Sequence, residues 1–173
     1  MTEKLDKGLL DFAALVEEPD TARYEALNLP EADRWGVVTR ADDELMRRRS
    51  VSVDDLAGLP LFCSEQSWAA GLPRWAGARM AELRLEGTFR LAYNGSVFVR
   101  EGLGHLLTFA RLVTGEGSGL VFRPLRPALE SPMHLIWRRR RALSPIARRF
   151  LDQVRTALEG AGANPAGRGD HRR

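Results

Sequence analysis

The chain has 173 residues, 44% of them hydrophobic and 28% charged, which is enough apolar material for one domain or for two small lobes on one chain. No apolar run reaches the ~20 residues of a membrane span, and the opening MTEKLDKGLLD lacks the apolar stretch and cleavage site of a secretory signal. Cys63 is the only cysteine, so no internal disulfide can form; within the run LPLFC it reads as a buried, inert thiol, and the compartment predicted is the cytoplasm, away from membranes. The net charge of +3 hides an asymmetry. Residues 1–65 carry 15 acids and 8 bases, and residues 123–173 carry 4 acids and 12 bases. The basic half has no interleaved aromatics and no recognition-helix pattern, so direct DNA binding is not expected; the run Arg138–Arg141 reads as a solvated strand end.

In chain order, TEKLDKG reads as the last turns of a helix stopped by Gly8. LLDFAALV, residues 9–16, has the short apolar character of a strand buried on both faces. Residues 20–33 are polar and acidic and read as a surface connection, and RWGVVTR at 34–40 as the next strand. ADDELMRRR follows as a charged loop. Ser52 to Gly58 carries a compact helix signature, with Ser52 as cap, Asp54 and Asp55 at the positive end and Gly58 as stop. LPLFC at 59–63 predicts a strand, 72–83 a helix, and TFRLAYN at 88–94 another strand. Asn94-Gly95-Ser96 is read as the cap of a helix running to about Glu101. HLLTFARLV (105–113), GLVFRPL (119–125) and HLIWRR (134–139) predict three more strands. Ser144-Pro145 opens a final helix with Ile146, Phe150, Val154 and Leu158 as its apolar stripe. From Gly160 the composition is that of a disordered tail. This alternation argues for an α/β fold with a mainly parallel sheet.

Catalytic constellations are not evident. His105 and His134 lie in apolar strand runs and His171 in the tail, without metal-ligand spacing, so no metal, cofactor or catalytic residue is assigned. Gly102-Leu103-Gly104 lacks the third glycine of a dinucleotide fingerprint, and there is no nucleophile elbow or phosphate loop. The chain is therefore read as a non-enzyme. Two loops are more suggestive. Ser64-Glu65-Gln66-Ser67 and Asn94-Gly95-Ser96 each follow an expected strand and precede a helix. That position suits either helix capping or a ligand-binding rim, because open α/β sheets bind ligands outside the carboxyl ends of their strands.

Several segments in order resemble one family: EKLDKGLLDFAALVEEP, DRWGVVTRADDEL, VSVDDLAGLPLFCSEQS, YNGSVFVREGLGHLLTFARLV, LVFRPLRP and LIWRRRRALSPIARRFLDQV. Together they resemble the effector-binding domain of LysR-type transcriptional regulators over about residues 3–158. The resemblance implies an α/β fold like that of type 2 periplasmic binding proteins, two lobes joined by two crossover strands, with a small effector between them. RWGVVTR would be the outgoing crossover and HLIWRR the returning one. The first lobe would take residues 1–38 plus 133–160, the second 39–132, with 161–173 a disordered tail. The family pattern also places a helix-turn-helix, a linker and a first strand–helix–strand ahead of Thr2, so the first lobe is expected to be incomplete. On this mapping Ser64, Gln66, Asn94 and Ser96 line the second-lobe wall of the effector site, with Glu17 and Thr39 near the first-lobe rim and hinge. The expected partner is a small anionic or aromatic effector. The alternative is an interaction module that pairs with itself or with a related regulator without binding a ligand.

Overall fold

The computed structural model describes residues 2–16, 18–115 and 117–162. Two compact units emerge, one from residues up to Ala32 together with those from Pro132 on, the other from Asp33–Ser131. The chain passes between them twice, as the two-lobed reading requires.

The first unit opens with a helix, α1 (Thr2–Asp6), ended by Gly8 at a left-handed φ of +70°. Strands β1 (Ala13–Leu15) and β2 (Tyr24–Asn28) follow. The apolar run 9–16 is thus a three-residue strand. Leu9 is 69% exposed, in the bend that follows α1 and ahead of the strand. The connection expected at 20–33 contains β2, whose short mixed run YEALN is masked in the sequence by its acidic flanks.

The second unit begins with β3 (Asp33–Arg40), then a 3₁₀ turn at Glu44–Arg47, α2 (Val53–Leu56) and β4 (Pro60–Cys63). A helical stretch follows, π-like over Ser67–Gly71, α-helical over Leu72–Ala76 (α3) and 3₁₀ over Gly77–Glu82. Then come β5 (Arg84–Thr88), α4 (Ala92–Arg100), β6 (His105–Phe109), β7 (Leu120–Pro124) and β8 (Glu130–Ser131). The strand expected at 88–94 therefore ends where it was thought to begin, and Ala92–Asn94 are helix. Gly95 is a close-packing position inside α4. A Cβ there would lie 2.6 Å from Leu106 Cδ1 and 2.9 Å from Phe89 Cδ1.

The strand order is β5-β4-β6-β3-β7, with β8 also on β3. β4 runs parallel to β5 and β6, whereas β3 is antiparallel to β6, β7 and β8, so the sheet is mixed rather than mainly parallel. Alternate residues feed two cores. Val37, Leu61 and Leu107 enter one cluster; Val38, Phe62 and Leu106 enter the other. Because β3 is paired along its whole length within this unit, residues 33–38 group here, and the boundary falls at Ala32/Asp33 rather than after residue 38.

The chain returns to the first unit through β9 (His134–Arg138), the central strand of an antiparallel sheet ordered β1-β9-β2. Asp6 ties α1 to this sheet. Its carboxylate accepts from Tyr24 Oη at 2.8 Å and Arg23 Nη2 at 2.6 Å, and its carbonyl from Arg138 Nη1 at 2.7 Å. The last helix, α5 (Pro145–Gly162), is capped by Ser144, whose Oγ accepts from the Ala147 N–H at 3.2 Å. Its apolar stripe is not the one expected. Ile146 and Phe150 are 84% and 48% exposed, while Ala147 and Leu151 are buried. Steps of four residues drift by about 40° each around a 3.6-residue helix. The set Ala147, Leu151, Val154 and Leu158 stays on one face, with Ala147 and Leu151 buried and Val154 and Leu158 half-buried. Of the tail expected at 161–173, the backbone of Ala161 and Gly162 continues α5, and the rest lies outside the described residues.

Candidate functional site

In the second unit, β4 and β5 run side by side and end together at Cys63 and Thr88. The Phe89 N–H donates to the Cys63 carbonyl at 3.3 Å and holds the two exits together. Ser64 turns the chain into the helical stretch. Its Oγ donates to Ser67 Oγ at 2.6 Å, and its carbonyl accepts from the Trp68 N–H at 3.0 Å. Beside this turn lies an open depression of about 550 Å³ lined by Glu65, Thr88, Phe89, Arg90, Asn94 and Phe98. Phe98 stacks on Phe62 at 4.8 Å between ring centroids, which gives the depression an apolar wall. Arg90 has no carboxylate partner among the described residues, so its guanidinium is available to a ligand. Cys63 sits behind this rim fully buried, and burial pushes its thiol up to about 12, which leaves no thiolate for chemistry.

The residues expected at this site divide sharply. Asn94 lines the depression directly. Ser64 forms the adjoining turn with its hydroxyl engaged by Ser67, and Gln66 is exposed in the first helical turn after it. Ser96 is not on the rim: it is fully buried inside α4 and donates its hydroxyl to the Tyr93 carbonyl at 2.7 Å. Helix α4 starts two residues earlier than the expected cap, and this turns Ser96 inward. Thr39 is also buried, on β3, with Oγ1 3.1 Å from His105 Nδ1 at the opposite end of the sheet. Glu17 lies outside the described residues. Thr88, Phe89 and Arg90 were missed because they appeared to sit inside a strand. The alternation of Arg84, Leu85 and Glu86 was the signal that the strand begins earlier.

The other end of the same sheet carries a second depression, of about 600 Å³, which takes in Asp43, Glu44, Arg47, Leu59 and His105. It forms where β3 leaves the sheet and β4 and β6 enter it. His105 is 8% exposed, and burial pushes its imidazole below the ordinary histidine range, against the pull of Asp43 Oδ2 at 4.0 Å. The sequence had suggested only a strand residue there.

Comparison with known proteins matches the LysR substrate binding domain model over residues 1–159. No curated protein matches the chain. Among solved structures, the LysR family transcriptional regulator HinK from Pseudomonas aeruginosa superposes with a TM-score of 0.75 at 21% identity, over 91% of this chain and 56% of that one. The regulatory domain of Synechocystis PCC6803 CcmR, solved in complex with 2-PG, gives 0.77 at 13% identity, over 91% and 78%. The effector binding domain of QuiR, in complex with shikimate, gives 0.76 at 14%, over 94% and 77%. The chain thus spans a little over half of a full-length regulator and about three quarters of an effector-binding domain. Those likenesses show the periplasmic-binding-protein-like α/β fold. With the family model matching nearly the whole sequence, the chain belongs to the LysR substrate binding domain family.

Proposed function

We propose that this chain is the effector-sensing part of a LysR-type regulator and that it binds a small carboxylate or similar anion without transforming it. The observation that carries this reading is the depression at the carboxyl ends of β4 and β5, where Arg90 lies beside Asn94 and the Phe98 ring. A guanidinium without an acidic partner, an amide and an apolar wall are the groups that orient a small polar anion. The structures of relatives holding 2-PG and shikimate support it. Ser64 and Gln66 would support the rim through the turn they form, and residues 33–131 would act as the second lobe. Thr39 and Ser96 would contribute through packing. No catalytic group is assigned, because the one cysteine is buried with a raised pKa and no cluster with metal-ligand geometry is found among the described residues. No described helix is long and apolar enough to cross a membrane.

The test is thermal unfolding of the full chain against a panel of small carboxylates, shikimate among them. A ligand at about a hundred times its Kd should add about 2.7 kcal/mol of stability. Arg90→Gln should abolish the shift while leaving the unliganded melting temperature in place. A folded chain that no carboxylate stabilises would overturn the proposal. A second reading, association with a like regulator, is favoured by a different observation. In the first unit Leu9, Ile146 and Phe150 are exposed, and β1 and β2 are both sheet edges. Sedimentation equilibrium decides it: a monomer at high concentration would end this reading.

A further inference from the structure

The depression at the amino-terminal end of the β4–β6 pair is separate from the rim just described, being at the other end of the same strands. The backbone turn that carries its charged groups is held in place before any ligand arrives. The turn Glu44–Arg47 is fixed at one side by Asp43, whose Oδ1 accepts from the Leu45 N–H at 2.8 Å. On the other side Arg123 donates to the Met46 carbonyl, from Nε at 3.1 Å and Nη2 at 2.6 Å. Fixing the turn lowers the ordering cost of binding.

The groups on this turn are not spent on each other. Asp55 is occupied by Ser52 and by Arg48 at 3.3 Å, and Asp54 by Arg79 at 2.6 Å. Glu44 and Arg47 form no hydrogen bond or ion pair among the described residues. They are three residues apart on one turn, one anion and one cation, both lining the same hollow. At its base lies His105. Thr39 and Asp43 both lie on its Nδ1 side, at 3.1 and 4.0 Å, so Nε2 is the ring atom left to the cavity. In the neutral tautomer that a carboxylate on the Nδ1 side favours, with the proton on Nδ1, Nε2 is a hydrogen-bond acceptor. The hollow therefore offers an acceptor set (His105 Nε2 and Glu44), a guanidinium (Arg47), and apolar surface from Leu45 and Leu59. A molecule that carries a primary ammonium, a carboxylate and a modest side chain satisfies all three at once.

We propose that this hollow is a second ligand site, separate from the effector rim, and that it binds a free α-amino acid. The ammonium sits on Glu44 and His105, the carboxylate on Arg47, and the side chain against Leu45 and Leu59. An amine or a carboxylate alone fills half of the arrangement and binds more weakly.

The experiment is an NMR titration of the full chain with each of the twenty amino acids, with n-butylamine and butyrate as half-ligand controls. At least one amino acid should shift the His105 ring resonances and the Leu45 amide at concentrations below about 10 mM, while the controls bind at least about tenfold more weakly. Glu44→Gln and Arg47→Gln, both on an exposed turn, should each weaken that binding by about tenfold or more. Arg90→Gln should leave it intact, so that loss at the rim and loss here are told apart. Absence of any shift at His105 with all twenty would overturn the site. So would binding indifferent to both substitutions, or shifts confined to Thr88–Asn94.

Discussion

The unit of residues 33–131 buries apolar side chains on both faces of its mixed sheet, whereas the unit built on β1, β9 and β2 does so around one small cluster. The larger unit seats Leu61 and Leu107 on one face and Phe62 and Leu106 on the other. The smaller one relies on Leu5, Ala13, Tyr24 and Ile136, and leaves Leu9 and Ile146 in solvent. Stability follows apolar area removed from water, so the two units should open independently and at different free energies. The difference teaches where function can be precise. The effector rim and the hollow beside His105 are both in the unit with the fuller core, which can hold a turn or a strand end rigid.

The largest effect should come from cutting the fuller core. Leu106→Ala, at a fully buried position, should destabilise residues 33–131 by about 4 kcal/mol, and Leu5→Ala should cost the smaller unit about 2 kcal/mol because its thinner core can collapse. Amide hydrogen exchange, read separately on β3 and β9, measures both; equal losses would break the comparison. Next is the last helix. Leu151→Ala should destabilise the smaller unit by about 2–3 kcal/mol, while Ile146→Ser should change it by less than about 0.5 kcal/mol. The reverse order would restore the stripe expected from sequence. Trp35→Phe removes a buried hydrogen bond from Nε1 to Ser131 Oγ at 2.9 Å and should cost about 1–2 kcal/mol, seen as a lower denaturation midpoint for the larger unit only.

The smallest effect concerns pH. His105 titrates lower in the folded chain than in the unfolded one, first because burial disfavours imidazolium and despite Asp43. The unfolded chain thus takes up a proton near pH 6.5 that the folded chain resists. Stability should be complete above that value and fall as pH drops through it toward the folded value. Guanidinium midpoints of the wild type and of His105→Gln, compared between about pH 7.5 and about pH 5, should show the steeper acid loss in the wild type. Parallel curves would remove His105 from the account.

Much of the chain is legible without coordinates where a local rule suffices. Gly8 as a stop, Ser144-Pro145 as a helix start and the short helix after Ser52 all depend on neighbours a few residues away. The candidate site was only half legible. Asn94 reads as a rim residue and lines the depression, but Arg90 reads as a strand interior and Ser96 as a cap, whereas β5 ends at Thr88 and α4, which packs Gly95 against Phe89 and Leu106, starts at Ala92. A shift of two residues in a helix start turns a side chain from rim to core.

The sequence by itself determined that this is an α/β chain of the LysR substrate binding domain family, with strands near 34–40, 59–63 and 134–139 and one buried, inert cysteine. Only the tertiary structure decided that the sheets are mixed and antiparallel, and that α5 turns Leu151 inward rather than Phe150. It alone brought Thr39, Asp43 and His105 together, 66 residues apart along the chain for the first and last. The physical reason is common to all three. Apolar periodicity marks which residues seek burial, but strand direction, helix phase and the meeting of distant side chains depend on which partners are there to bury them.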